Sequence, residues 1–352
     1  MRLAIKPDSL LEAIALRTHL APEPILETHI ALLSARAIMA GTELGVFSCL
    51  ESKPLAAPEI AAACGLDPRA TEALLGALVS TRYLRFRSGR YQLTPKARTW
   101  LAPRNAWSLF DYMPHLRDVW RLAEGLEQFL RDGHGLEIHQ AGLCDQQWSR
   151  YQRAMRSLAA AAAVEVSRGL PVKAGARRML DIGGSHGFFS VALCRRHPRL
   201  CATILDLPEA VQQAAPILAS EQMGERVRHQ SGNALTDDLG QNVYDLILIS
   251  NLVHHFTAEQ NRDLILRAAR ALRPGATVVI QELIRPESPD SGDQIGQVLN
   301  LFFALTSTSG TWSIPEMEAW LRSAGLKLQR PVFLRSIPGT AQILATKVSG
   351  SA

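Results

Sequence analysis

The sequence predicts an α/β protein, with a doubly wound parallel sheet in its second half and a smaller, mainly helical domain before it. The chain has 352 residues, which exceeds the usual size of one domain and favours two separate cores. From residue 176 onward, short apolar strands alternate with helical segments, as is typical of parallel α/β sheets. Residues 25–104 instead show helical apolar spacing followed by a short hairpin.

The composition is that of an ordinary globular protein, with 47% hydrophobic and 20% charged residues and a net charge of +5 that hints only weakly at acidic partners. No apolar run approaches the roughly 20 residues of a membrane span, and Lys6, Asp8 and Glu12 interrupt the apolar core that a secretory signal needs. The cysteines form no CxxC pair and no zinc-site spacing: Cys49, Cys64, Cys144, Cys194 and Cys201. We therefore expect a reduced, cytoplasmic protein without a membrane segment or metal site.

Residues 1–104 form the first predicted domain. The segments "APEIAAAC" and "DPRATEALLGALVS" predict two short helices, and two strands follow around Ser88 and Gly89. This is the plan of a winged helix. Seven basic residues and no acid between positions 82 and 104 favour DNA binding, but the would-be recognition helix offers only Arg69 to a groove. We expect a structural role without nucleic acid, and the apolar stretch "IALLSARAIMAGTELGVF" predicts a homodimer.

The second predicted domain covers residues 105–352. Its first part, 105–172, is helical and rich in aromatic residues. Then come five strands, "RRMLDI", "LCATILD", "RVRHQSG", "VYDLILIS" and "ATVVIQEL", with helices between them such as "TAEQNRDLILRAARALRPG". The final segments "LKLQRPVFL", "SIPGT" and "AQILATK" predict a hairpin that adds an antiparallel strand to the sheet.

The stretch "LDIGGSHGFFSVALCRRHP" predicts a strand, a glycine turn and a helix, the arrangement that holds nucleotide-like cofactors. Gly183, Gly184 and Gly187 allow a tight turn and a close ligand, but the spacing is not GxGxxG and no Walker Lys-Ser/Thr pair follows. Asp206 ends the next strand, where a carboxylate can accept hydrogen bonds from ribose hydroxyls. The alternative interpretations are a turn that binds no ligand and an aspartate that is merely solvated. Taken with the closing hairpin, the glycine turn and Asp206 together favour an adenosine cofactor without phosphates.

Six motifs then carry a family resemblance: "LDIGGSHG", "ILDLPEAV", "SGNAL", "ISNLVHHF", "LRPGATVVIQELIRP" and "WSIPEMEAWLRSAGL". In order and spacing they resemble the S-adenosylmethionine-dependent class I O-methyltransferases of the caffeate, hydroxyindole and bacterial polyketide type. The resemblance covers nearly the whole chain. It implies a Rossmann-like, seven-stranded methyltransferase sheet, an N-terminal winged-helix domain that dimerises, S-adenosyl-L-methionine as cofactor and a small-molecule acceptor.

The resemblance also implies the site residues. Asp181 and Gly183 would line the methionine end, Asp206 would hold the ribose, and Asn233 with Ala234 would flank the adenine. Residues 105–172 would close the acceptor pocket. The complete predicted cofactor set is Asp181, Gly183, Gly184, Ser185, Asp206, Leu207, Gly232, Asn233, Ala234 and Ser250.

Four departures from the family pattern bear on these expectations. Ser185 replaces the central glycine of the loop, which costs little if its backbone angles are ordinary. Asn233 replaces an aspartate at the adenine, although its side-chain oxygen can still accept a hydrogen bond. "HHF" stands where the family commonly has His-Asp-Trp, and Thr311 and Trp312 occupy the stretch of a later glutamate that orients the base.

His254 therefore falls on the position of the catalytic base, with His255 as its neighbour and Glu282 as its acidic partner on the fifth strand. Histidine titrates near neutral pH and suits the removal of a phenol proton. The alternatives are that His255 is the base, or that both histidines are polar residues at a sheet edge. C- or N-methylation, a non-methylating reaction, and a DNA-binding regulator that senses the cofactor also stay open as functions.

Overall fold

The computed structural model describes residues 3–136, 138, 143–291 and 293–348. The chain forms two compact units, Arg2–Arg117 and Asp118–Ala352. The boundary thus falls later in the chain than the one expected after residue 104. Among the described residues, no helix combines the length and the apolar character needed to cross a membrane.

The N-terminal unit has the predicted helices and hairpin. Strands β1 (Leu84–Arg87) and β2 (Arg90–Leu93) pair antiparallel. Ser88 and Gly89 form the turn between them with φ of 49° and 77°, the positive values that a tight two-residue loop requires. Asp67 caps α6 by accepting from the Ala70 N–H at 2.8 Å. The elements are α1 (Leu10–Arg17), α2 (Glu23–Ile25), a π-helical segment (Leu26–Ile30), α3 (Ala31–Glu43), α4 (Val46–Cys49), α5 (Ala57–Cys64), α6 (Pro68–Ser80), β1 (Leu84–Arg87), β2 (Arg90–Leu93), α7 (Pro95–Trp100) and α8 (Tyr112–Ala123), which runs across the boundary.

The second unit alternates strands and helices as expected. Three 3₁₀ turns, Gly224–Arg226, Val253–His255 and Pro289–Ser291, join some of them. The α-helices and strands are α9 (Leu126–Asp132), α10 (Asp145–Gly169), β3 (Arg178–Ile182), α11 (Phe188–Arg196), β4 (Cys201–Asp206), α12 (Pro208–Ser220), β5 (Val227–Ser231), β6 (Tyr244–Ser250), α13 (Ala258–Ala271), β7 (Leu272–Leu283), α14 (Gln294–Thr306), α15 (Ile314–Ser323), β8 (Leu326–Leu328), β9 (Val332–Phe333) and β10 (Thr340–Lys347).

The sheet of this unit has the strand order β5-β4-β3-β6-β7-β10-β8, and the short β9 also pairs with β10. The five strands from β5 to β7 are parallel. β10 runs antiparallel between β7 and β8, which confirms the predicted closing strand. The order reverses between β3 and β6, and ligands bind at the carboxyl ends of strands beside such a reversal.

One element boundary was predicted wrongly. The helix expected to run through "ALRPG" ends at Ala271, and β7 begins at Leu272, four residues before the predicted start. Leu272 pairs with Tyr244 of β6, and the register then shifts. Pro274 cannot donate to a helix, and Gly275 has a φ of 75°, so this stretch suits an irregular strand start better than a helix end.

Both faces of the sheet are covered, which explains why its strands are nearly continuous apolar runs. Successive residues of β6 point to opposite sides. Ile247 and Ile249 pack with the helices α13 and α15, whereas Leu246 and Leu248 pack with α10, α11 and α12. The sheet edge that carries the loops after β3, β4, β5 and β6 is thereby held between two helical layers.

We expect Gly187→Ala to destabilise the second unit. Gly187 precedes α11 with a φ of 71°, and an added Cβ would overlap the Ile204 side chain. The left-handed conformation alone costs an alanine about 1–2 kcal/mol. Urea denaturation should report at least that loss. Gly169→Ala is the control, because Gly169 ends α10 and its nearest neighbouring atom is Gln342 Oε1 at 4.0 Å; equal stability of the two variants would contradict the expectation.

Candidate functional site

The predicted cofactor residues meet at the carboxyl edge of the sheet, around two neighbouring cavities. The larger has a volume of about 430 Å³ and the smaller about 80 Å³. Predicted residues that line the larger cavity are Gly183, Ser185, Asp206, Leu207, Gly232, Asn233, Ala234 and His255. Those that line the smaller one are Asp181, Gly183, Gly184, Ser185 and Ser250.

The glycine turn after β3 leaves no room for side chains at Gly183 and Gly184. A Cβ on Gly183 would lie 2.7 Å from the Leu252 side chain, and one on Gly184 would lie 2.5 Å from the Asp181 carboxyl carbon. Gly183 also has a φ of 67°, and its N–H donates to the Leu205 carbonyl at 2.8 Å. The turn therefore presents bare backbone to both cavities, as a close ligand requires.

Ser185 does not have the ordinary backbone angles on which its low cost was expected to depend. Its φ is 53°, in the left-handed region that favours glycine. Its N–H donates to Asp206 Oδ2 at 2.7 Å, its carbonyl accepts from His229 Nε2 at 2.8 Å, and its hydroxyl donates to Gln152 Oε1. Three hydrogen bonds from three other elements hold the serine in this conformation.

Two carboxylates flank the turn, the buried Asp181 and the partly buried Asp206. Burial raises the pKa of Asp181 to about 7, and the charge of Asp206 adds to this, while the Ser190 hydroxyl, which donates at 2.6 Å, opposes it. Burial also raises the pKa of Asp206 to about 6, against the N–H groups of Leu207 and Ser185. Asp181 Oδ1 has no hydrogen-bond partner among the described residues. It is a buried acceptor that suits a ligand's donor.

The loop after β5 forms the other end of the larger cavity. Asn233 Oδ1 accepts from the Leu235 N–H at 2.9 Å, so the oxygen expected at the adenine already holds the loop and has one lone pair left. Arg267 supports the loop from α13 by donating to the Ala234 carbonyl at 2.7 Å and the Leu235 carbonyl at 2.9 Å. The loop is thus fixed before any ligand binds.

The predicted catalytic residues lie after β6 and on β7. His254 Nδ1 and Glu282 Oε1 are 3.0 Å apart, and only 3% of His254 and none of Glu282 is exposed. The His254 ring lies 4.0 Å from the Phe303 ring and 4.1 Å from the His255 ring, centroid to centroid. His255 lines the larger cavity, whereas His254 and Glu282 line neither.

Trp312 stands where the resemblance implied a missing glutamate. Its Nε1 donates to the Val253 carbonyl at 2.9 Å, and Asn261 Nδ2 donates to the same carbonyl at 2.9 Å. Both bonds fix the turn that carries His254. Trp312 therefore positions the backbone of the turn, whereas a glutamate at this place would contact the histidine ring through its carboxylate.

Sequence reasoning did not single out four residues that shape the site: Gln152, His186, His229 and Phe303. His186 lines the smaller cavity, and burial, then the charge of Arg156, lowers its pKa to about 3. It is therefore neutral, with Nδ1 accepting from the Phe188 N–H at 3.0 Å. Gln152 had a signal in the sequence, because it follows Trp148 by four positions on the buried face of α10. Within the described ranges, no three His, Cys, Asp or Glu side chains group as a metal site.

Comparison with known proteins agrees with this geometry. The family models of the O-methyltransferase domain and the O-methyltransferase dimerisation domain match residues 114–327 and 28–103. A 3-hydroxy-5-methyl-1-naphthoate 3-O-methyltransferase of Streptomyces sahachiroi is 29% identical over 92% of this chain and 94% of its own. The tetracenomycin polyketide synthesis 8-O-methyl transferase TcmO of Streptomyces glaucescens is 30% identical over 88% and 92%.

A solved structure shows the same fold. Human N-acetylserotonin methyltransferase, in complex with S-adenosylmethionine, superimposes with a TM-score of 0.80 at 20% identity over 98% of this chain and 100% of its own. The chain belongs to the O-methyltransferase family, and it is an S-adenosylmethionine-dependent methyltransferase. The residues present fit that cofactor, because the bare turn at Gly183 and Gly184 admits a close ligand and Asp181 Oδ1 offers an acceptor for an ammonium group.

We expect the affinity for S-adenosylhomocysteine to fall as the pH drops through about 6. Burial raises the pKa of Asp206 to about 6, and a protonated carboxyl is a poorer acceptor for ribose hydroxyls. Binding favours the ionised form, so the contribution of Asp206 to the affinity rises with pH up to this pKa and then levels off. Calorimetry between pH 5 and 8 measures the effect.

The control is Asp206→Asn, which should bind more weakly and lack the component centred near pH 6. Asp181, whose pKa is about 7, still titrates in both proteins. If the affinity of the wild type depends on pH in the same way as that of the variant, Asp206 does not bind the ribose.

Proposed function

We propose that this protein transfers the methyl group of S-adenosylmethionine to a hydroxyl of a small aromatic or polyketide-like metabolite, with His254 as general base. The observation that carries the proposal is the buried His254–Glu282 pair, 3.0 Å apart, whose neighbour His255 lines the larger cavity together with Asp206 and the glycine turn. Screening phenolic and polyketide metabolites with isotope-labelled cofactor tests it. Absence of methylated product on oxygen from all of them would count against it.

The cofactor supplies an electrophilic methyl group on a sulfonium, and the chain's own residues bind and orient it. Asp206 accepts hydrogen bonds from the ribose, and the loop at Gly232, Asn233 and Ala234 faces the adenine beside Leu207. The methionine end lies along the smaller cavity, at Asp181, Gly183, Gly184, Ser185 and Ser250. The support is the order of these residues around the two adjoining cavities.

The acceptor occupies the rest of the larger cavity. Its walls include Trp148, Tyr151 and Phe256, together with the hydroxyl-bearing stretch 306–308. Aromatic walls with a few polar groups suit a planar ring that carries oxygen substituents. The naphthoate and tetracenomycin enzymes among the relatives, by their names, act on molecules of this kind. Methyl transfer needs such a pocket chiefly to align the reacting atoms and to exclude water.

Proton removal falls to the histidine that Glu282 orients. Glu282 Oε1 accepts the Nδ1 proton of His254, which leaves Nε2 to take a proton from the acceptor hydroxyl. The carboxylate then stabilises the charged ring. His254 lines neither cavity, and the rings of Phe303 and His255 lie 4.0 Å and 4.1 Å from its ring, so an acceptor reaches His254 only when the side chains around it shift.

His255 is the second candidate for the base. It lines the larger cavity and its ring contacts that of His254. In this arrangement His255 takes the proton directly, while His254 and Glu282 position it from behind.

Single variants distinguish the two histidines. We expect His254→Ala to lose about 100- to 10,000-fold in rate, the typical contribution of a positioned base, with cofactor affinity near wild type. Glu282→Gln should lose less, and His255→Ala least of all. With a phenol acceptor, His255→Ala should keep most of the wild-type rate. If His255→Ala instead shows the largest loss of the three variants, His255 is the base.

The N-terminal unit is proposed to form a homodimer. It matches the O-methyltransferase dimerisation domain, and it exposes large apolar residues, a feature that marks interfaces. Those before residue 45 are Leu3, Leu10, Leu11, Ile14, Leu20, Ile25, Ile30, Leu32, Leu33 and Leu44.

Light scattering at micromolar concentration should give twice 38.6 kDa, and Leu33→Glu should shift the protein towards the monomer. Phe86→Glu is the matched control, since Phe86 on the hairpin is 53% exposed and Leu33 is 52% exposed. A wild-type monomer, or equal dissociation of both variants, would refute an interface on these helices.

A further inference from the structure

Gln152 carries a buried amide group that the described residues leave half satisfied. The residue lies on α10, is 0% exposed and lines the larger cavity. Its Oε1 accepts from the Ser185 hydroxyl, whereas its Nε2 has no hydrogen-bond partner in the described part of the chain. A buried donor without an acceptor is unfavourable, so this amide is suited to a ligand that brings an acceptor.

The amide lies beside the place where the two cavities meet. Its chain neighbour Tyr151 and its hydrogen-bond partner Ser185 both line the larger and the smaller cavity. Asp181 lines the smaller cavity and presents an unpartnered acceptor, Oδ1. A buried donor, Gln152 Nε2, and a buried acceptor, Asp181 Oδ1, therefore flank the glycine turn.

An α-amino acid group matches this pair. Its ammonium donates hydrogen bonds and its carboxylate accepts them. We propose that Gln152 Nε2 binds the α-carboxylate of the cofactor's methionine moiety, while Asp181 Oδ1 accepts from the ammonium. The inference rests on the proposed placement of the ribose at Asp206. His186 on the smaller cavity has a pKa of about 3, so it is neutral and adds no positive charge beside the carboxylate.

Ser185 acts through Gln152 as a positioning residue. By donating to Oε1, its hydroxyl holds the amide with Nε2 turned away from the serine. A glycine would fit the φ of 53° with less strain, but would leave the amide free to rotate. The strained serine is thus explained by the orientation that it gives to the donor.

Two ligands that share the adenosine and the thioether test the proposal, because only one of them carries the amino acid group. S-adenosylhomocysteine has the ammonium and carboxylate, and 5′-methylthioadenosine keeps the adenosine and thioether without them. Calorimetry on the full chain should show that Gln152→Met weakens S-adenosylhomocysteine about tenfold, the lower range for a lost charge-assisted hydrogen bond. Gln152→Glu should weaken it further, because two carboxylates then meet. Neither variant should change the affinity for 5′-methylthioadenosine.

Ser185→Gly should give a smaller loss that is again confined to S-adenosylhomocysteine. Gln146→Glu is the matched control, since it makes the same chemical change at an exposed position of α10 and should alter neither affinity. Thermal melting checks that each variant is folded, and Ser185→Gly, which relieves backbone strain, serves if the Gln152 variants do not fold.

Three outcomes overturn the inference. If Gln152→Met binds S-adenosylhomocysteine as tightly as the wild type does, the Gln152 amide does not bind the carboxylate. Equal losses for both ligands would show that Gln152 only supports the turn. If the wild-type protein bound neither ligand, the cofactor placement itself would fail together with the inference, whereas the first two results leave that placement intact.

Discussion

The site depends on one steric constraint, the passage of the backbone between the end of β3 and the start of α11. Leu252, Asp181 and Ile204 crowd this path so closely that Gly183, Gly184 and Gly187 cannot carry a Cβ. Because the backbone is exposed there, the Ser185 N–H reaches the Asp206 carboxylate on the next strand at 2.7 Å. The constraint thereby sets both the start of α11 and the position of the carboxylate at the neighbouring strand end.

Holding two carboxylates at this turn makes the ligand-free site electrostatically unfavourable. The pKa of Asp181 and that of Asp206 are raised to about 7 and about 6, so the folded chain holds these protons more tightly than the unfolded chain. The stability that they contribute is present below the ordinary carboxyl pKa and is lost as the pH rises through 6 and 7. Near neutral pH, hydrogen bonds from a ligand to these groups offset that loss, and binding and stability are therefore coupled.

Much of the site follows from the sequence because its signals are local. Asp206 and the glycine turn sit directly after apolar strands, and parallel strands bring their carboxyl ends to one edge. The φ of Ser185 was not predictable, since its bonding partners come from other elements; Gln152 lies 33 positions away. The burial of His254 was likewise hidden, because Phe303 on α14 covers it. Contacts between distant segments decide these features, and periodicity within one segment carries no information about them.

The place of β10 in the sheet has a consequence for biosynthesis. β10 lies between β7 and β8, yet it follows both in the chain. While a ribosome makes the roughly 60 residues between β7 and the end of the sheet, at about 5–20 residues per second, some 3 to 12 seconds pass with one edge of β7 unpaired. Most of that strand is buried on both faces in the folded protein, and such an edge invites pairing with other chains. The nascent protein therefore needs shielding in this interval more than at any later stage.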